Sequence, residues 1–228
     1  MTSSAAEVRP TPETIAILGG TGNLGLGLSA RLCAAGYDVV IGSRDAARGE
    51  VAARRLNLPN ARGATNAEAA RAASIVIVAC PAEGHAALVS NLAGLLAGRI
   101  VVDATVPMAP GYVYAPPAAG SAAAETRMLA PGARVVAAFH TLSARLLADL
   151  SRPLDQDVLV CGDDPEARAR IIDLANAIGA RGVDAGDLAA AATIEALAVL
   201  VIGLTVRYRR RDLGIRIAHL PAHARPRP

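Results

Sequence analysis

Three glycines, Gly20, Gly22 and Gly25, stand between a short apolar run, Ile15–Leu18, and a helix-like stretch, Asn23–Ala35. That order suits the pyrophosphate of a dinucleotide. Gly20 permits a tight turn off a strand, Gly22 lets backbone approach phosphate oxygens, and Gly25 lets the helix lie close to the sheet. The helix start adds N–H groups and partial positive charge. A second apolar run, Asp38–Ile41, ends in Gly42-Ser43-Arg44, with Arg48 a helical turn later. A ribose with a free 2′-OH asks for Asp or Glu at that place. A hydroxyl and two guanidiniums instead suit a 2′-phosphate, which a carboxylate would repel. The pattern predicts NADP(H) rather than NAD(H), with Asp45 capping the next helix.

Three further groups fall where predicted strands end, the edge at which open parallel sheets take ligands. They are Cys80-Pro81 after Ser74–Ala79, Thr105-Val106-Pro107 after Arg99–Ala104, and Phe139-His140-Thr141-Leu142 after Arg134–Ala138. Cys80 has no identifiable base and reads as a packing residue beside the nicotinamide. His140 falls at a strand's carboxyl end and is a candidate site residue, with a strand-end histidine bonded to backbone as the alternative. The remaining cysteines (Cys33, Cys161) and histidines (His85, His219, His223) complete neither a metal-ligand spacing nor a disulfide framework. No metal site is expected, and the setting is expected to be reducing and cytoplasmic.

Alternating strands and helices through Ala138 predict an α/β fold, a doubly wound parallel sheet of the Rossmann type. The expected organisation is a flexible tail over 1–13, an NADP-binding domain over 14–152, a small C-terminal α/β subdomain over 153–220 and a disordered tail over 221–228. The subdomain comprises a strand at Asp157–Cys161, a helix from Asp164-Pro165 to Ile178, a strand at Gly182–Asp184 and a long apolar helix, Leu188–Arg207. Glu195 interrupts that helix, which therefore reads as buried or as a dimer interface rather than a membrane span. Gly111–Gly120 reads as a loop. Apolar residues make up 53% of the chain, enough for a substantial core, while aromatics at 2% leave little for base stacking. The 23 basic residues are all arginine and scattered, apart from a cluster at 207–211, so no nucleic-acid partner is expected.

Six motifs in order carry a likeness to a known family: GGTGNLGLGL (Gly19–Leu28), IGSR (Ile41–Arg44), FHT (Phe139–Thr141), VCGDD (Val160–Asp164), DAG (Asp184–Gly186) and LGIRI (Leu213–Ile217). On these the chain resembles, from Ile15 to Leu220, the NADPH-dependent reductases of coenzyme F420, an 8-hydroxy-5-deazaflavin. The resemblance implies a small homodimer moving hydride between nicotinamide C4 and deazaflavin C5. It implies that Thr21, Gly22, Asn23 and Leu24 hold the pyrophosphate, and Ser43, Arg44 and Arg48 the 2′-phosphate. Cys80, Pro81, Val106, Pro107 and Ala144 would line the nicotinamide, with His140 and Leu142 facing the deazaflavin. The family often has lysine where Arg48 stands and proline where Ser143 stands. Near Ala82–His85 the match slips by about one residue, leaving either Gly84 or His85 in the pocket. Two other readings remain open. One is an NADPH-dependent reductase of a flavin, ferric chelate or small carbonyl or imine; the other is a non-catalytic, dimeric NADPH-binding module.

Overall fold

A computed structural model describes residues 13–221. The two expected tails therefore lie, except for Glu13 and Pro221, outside the described residues. Glu13 itself is tied down: it takes a hydrogen bond from Ser74 and pairs with Arg170.

The first half alternates β1 (Thr14–Leu18), α1 (Asn23–Ala34), β2 (Asp38–Ser43), α2 (Ala46–Leu56), β3 (Ala61–Thr65), α3 (Asn66–Ala72), β4 (Ile75–Val78), α4 (His85–Leu96) and β5 (Ile100–Asp103). A small hairpin, β6 (Met108–Ala109) with β7 (Val113–Tyr114), leads into α5 (Ala122–Leu129) and β8 (Arg134–Ala137). The chain closes through α6 (Ala144–Ala148), β9 (Asp157–Gly162), α7 (Pro165–Ala177), β10 (Arg181–Asp184) and α8 (Ala191–Arg207).

One sheet takes eight of these strands, in the order β10-β9-β8-β5-β4-β1-β2-β3. Its central strands β1, β4 and β5 are nearly continuous apolar runs because both faces are covered, while the edge strands β3 and β10 are mixed and only partly buried. In β1, Ile15 and Ile17 pack on the side of α1, while Ala16 and Leu18 pack on the side of α3 and α4, as the two-residue period of a strand requires.

The expected C-terminal subdomain instead continues this sheet, and β9 runs antiparallel to β8. The cause lies in α6, which the sequence reading does not include. Arg31 of α1, itself buried, donates to the carbonyls of Leu146, Leu147, Asp149 and Arg152. That clamp holds α6 at the edge where β8 ends. The chain never crosses back, so β9 enters from that edge and runs the other way. Segment 211–217 then folds over the start of β9: Ser143 Oγ donates to the Arg211 carbonyl, and Asp157 accepts from the Ile217 amide.

By length and composition Leu188–Arg207 is apolar enough to cross a membrane. Its central acid, Glu195, is fully buried and hydrogen-bonded to α5 and β7.

Candidate active site

Four parallel strands end level with one another. Leu18, Val78, Asp103 and Ala137 stand in register across β1, β4, β5 and β8. The strand order reverses between β1 and β4, which opens a crevice beyond their ends. A cleft of about 760 Å³ lies there. Thr21, Gly22, Asn23 and Leu24 line one stretch, with Ser43, Arg44 and Arg48 beside them. The other stretch is apolar, built from Cys80, Pro81, Ala82, Gly84, Val106 and Met108, with Ile202 of α8 across from them. Among the described residues, no carboxylate lines the cleft.

The glycines divide the work. A Cβ on Gly22 would meet nothing within 4 Å, so this residue faces open cleft. A Cβ on Gly20 would lie 2.6 Å from the Ile17 carbonyl, and one on Gly25 would lie 2.5 Å from that of Gly20, so both serve close packing. Gly22 caps α1 without a side chain, and the first turn carries no acid. The helix start therefore turns its N–H groups toward the cleft without a competing carboxylate. Asp45, next to Arg44, accepts from the Ala47 amide at 2.9 Å as the cap of α2.

Asn66 also lines the cleft, and sequence reasoning missed it. Its Oδ1 accepts from the Gly19 amide at 3.1 Å and pins the glycine turn. A Cβ on Gly42 would sit 2.7 Å from that oxygen, so Gly42 is what lets Asn66 approach. The partners are 47 residues apart, and no spacing rule connects them.

At the apolar end, Gly84 lines the cleft and His85 does not. His85 begins α4 and turns inward, with Nδ1 2.8 Å from Glu125 and Nε2 2.7 Å from Asp103. Burial and the nearby charge of Asp103 push the Cys80 thiol up to about 12, so it stays protonated and is no nucleophile at neutral pH.

Four expected site residues of the apolar end are not among those that line the cleft. Pro107 lines a separate cavity of about 260 Å³ with His85 and Glu125, because the chain turns away after Val106. Ala144 opens α6 and lies near Gly27 of α1, and Leu142 belongs to the core. His140 is not among the cleft-lining residues. It is buried two strands over from Cys80, about 10 Å at the usual strand spacing. Neither of its ring nitrogens, nor Thr105 Oγ1 on the neighbouring strand end, has a hydrogen-bond partner among the described residues. Burial pulls the imidazole down to about 4, against the opposing charge of Asp103, so it is neutral at physiological pH.

The site is thus a crevice with a cationic end and an apolar end. A family model for coenzyme F420-dependent NADP oxidoreductases matches residues 14–107. An F420-dependent NADP reductase from Methanothermobacter marburgensis is 38% identical, over 91% of this chain and 99% of that protein. The chain belongs to this family. A solved structure from Arthrobacter sp. FB24, a candidate F420-dependent NADP reductase, superimposes with a TM-score of 0.79 at 29% identity, covering 90% of this chain and 99% of that one. The metalloreductase STEAP3 of Rattus norvegicus is 34% identical over 85% of this chain, but the match spans only 38% of that protein. The family match thus reaches well past the glycine turn: nearly the whole chain, including β9 to α8, has a counterpart in the archaeal reductase.

Proposed function

We propose that this cleft binds NADP(H) through its cationic end and brings coenzyme F420 to its apolar end. The chain is then an oxidoreductase of these two substrates, as its family membership supports. The observation that carries the cofactor choice is the pairing of Ser43, Arg44 and Arg48 in a cleft lined, among the described residues, by no carboxylate. When bound, NADPH and F420 supply the hydride donor and acceptor, and no protein nucleophile is required.

The chain's own residues hold and shield. Backbone at Thr21, Gly22, Asn23 and Leu24 takes the pyrophosphate, with Gly20 and Gly25 shaping the turn. Ser43, Arg44 and Arg48 take the 2′-phosphate by charge-assisted hydrogen bonds. Cys80, Pro81 and Val106 form a wall that excludes water from the reacting face. Neutral His140, buried beside the cleft rather than lining it, is the candidate donor toward the deazaflavin side; its two ring nitrogens, unpartnered among the described residues, support this role. The protein's contribution is placement of two rings at about 3–3.5 Å in a near-attack arrangement.

The test is NADPH oxidation with and without F420, run beside NADH and beside free flavin or ferric chelate as acceptor. Turnover with F420 and preference for NADPH are expected. Turnover only with flavin or iron overturns the acceptor, and binding with no turnover on any acceptor makes the chain a binding module.

We further read the protein as a cytoplasmic homodimer. Exposed Leu200 and Val206 on α8 and exposed Tyr112 and Val113 at the hairpin supply apolar surface for a second copy. Sedimentation equilibrium measures that state directly.

A further inference from the structure

Glu195 is a fully buried carboxylate in the middle of an apolar helix, and the hydride chemistry makes no use of it. Its Oε2 accepts from the Tyr114 hydroxyl at 2.9 Å and from the Ala122 amide at 3.1 Å; its Oε1 accepts from the Ala123 amide at 3.2 Å. Ala122 and Ala123 are the first two residues of α5, whose N-terminal N–H groups have no partner within their own helix. One carboxylate therefore joins three elements: α8, the β6–β7 hairpin and α5.

Two of those elements carry cleft residues. Tyr114 pairs across the hairpin with Met108, and Met108 lines the cleft. Ile202 also lines it and lies seven residues beyond Glu195, two turns along the same face of α8. Met108 and Ile202 come from segments far apart in the chain. Among the described residues, the side chain linking their two elements by hydrogen bonds is Glu195.

We infer that Glu195 is a positioning residue: by locking α8 and the hairpin to the start of α5, it sets the gap between Ile202 and Met108 and so fixes the apolar wall that receives the hydride acceptor. This rests on the reading that the cleft's apolar end takes F420. The nucleotide end, built from β1, α1, β2 and α2, lies outside the lock.

The experiment compares Glu195→Leu, Glu195→Gln and Tyr114→Phe in the full chain, reading NADPH dissociation constants, F420 KM and kcat. Leucine fills the space but leaves two α5 amides without a partner and the Tyr114 hydroxyl with only the Gly120 carbonyl at 3.2 Å. Glutamine keeps one carbonyl oxygen, which can still accept from the Tyr114 hydroxyl and the Ala122 amide, and loses only the acceptor for Ala123. Glu195→Leu should raise the F420 KM roughly tenfold with NADPH affinity within about twofold, and Glu195→Gln should restore most of the loss. Tyr114→Phe should raise the F420 KM roughly threefold, and it carries the test if the leucine variant does not fold. An unchanged F420 KM, or equal loss for both substrates, overturns the positioning role. Wild-type protein that does not turn over F420 overturns the functional reading, and the inference with it.

Discussion

His85 Nε2 lies 2.7 Å from Asp103 Oδ2, and both side chains are buried. Thr126 Oγ1 donates to the same Asp103 oxygen at 2.6 Å, while Asp103 Oδ1 accepts from the Thr105 amide at 2.9 Å. The pair therefore fixes the start of α4, the end of β5 and the middle of α5 behind the wall formed by Gly84 and Val106. Burial alone would lower the His85 pKa, but the carboxylates of Asp103 and Glu125 outweigh it and push the imidazole up to about 9. Burial likewise opposes ionisation of Asp103, yet His85, Thr126 and the Thr105 amide hold it below its usual range.

Stability should follow the His85 titration. Its folded pKa is raised above the ordinary 6.5, so its contribution is full below about pH 6.5 and is lost as pH rises through about 9. Urea midpoints of the wild type should fall across that window. His85→Leu should remove the dependence and cost about 3–5 kcal/mol, because it leaves Asp103 charged and buried without its partner. A flat wild-type profile from pH 6.5 to 9 would show that the imidazole is neutral in the folded protein.

His140 moves in the opposite direction. With a folded pKa near 4, it stays neutral across the working range, so F420 affinity should not titrate with it between about pH 5.5 and 8. His140→Ala should weaken F420 binding or rate roughly 3–10-fold, the worth of one neutral hydrogen bond, while sparing NADPH. Unchanged kinetics with F420 would return His140 to a purely packing role.

Arg44 and Arg48 should carry the preference for NADPH. Arg44→Ala should weaken NADPH binding on the order of 10–100-fold, as expected for a charged hydrogen bond, and leave NADH binding nearly unchanged. Calorimetric titration with both nucleotides measures this, and equal loss for the two would place the 2′-phosphate elsewhere.

Gly22 and Gly25 should separate binding from folding. Gly22→Val adds a side chain that projects into open cleft, so thermal stability should hold while NADPH affinity drops. Gly25→Ala forces a Cβ to 2.5 Å from the Gly20 carbonyl and should destabilise the fold by about 1–3 kcal/mol. Thermal unfolding alongside nucleotide titration distinguishes the two, and loss of stability in Gly22→Val would refute its cleft-facing role.

The nucleotide end of the site was legible in the residues themselves. Gly20-x-Gly22-x-x-Gly25 and Ser43-Arg44 lie on contiguous stretches of a βαβ unit, where local turn geometry and two periodicities determine which way each residue faces. Apolar runs likewise determined the strands of the large sheet up to β8, but not the hairpin β6–β7, whose second strand lies in Gly111–Gly120, a stretch that reads as a loop. At the apolar end Cys80, Pro81 and Val106 were named from the sequence and do line the cleft, but the rest was not legible, because it is assembled from separate segments. Asn66 reaches Gly19, Met108 and Ile202 share one wall, and Gly84 faces the cleft while its neighbour His85 turns inward to two carboxylates.

By itself the sequence determined the α/β order of elements, the glycine turn and the grouping of Ser43, Arg44 and Arg48 at one end of the cleft, because each depends on interactions between near neighbours in the chain. Only the tertiary structure decided that β9 reverses, that Pro107 and Ala144 stand outside the cleft and that Glu195 ties α8 to α5. Those outcomes depend on contacts between distant segments, such as Arg31 on the carbonyls of α6, whose pairing is fixed by packing in three dimensions rather than by any periodicity along the chain.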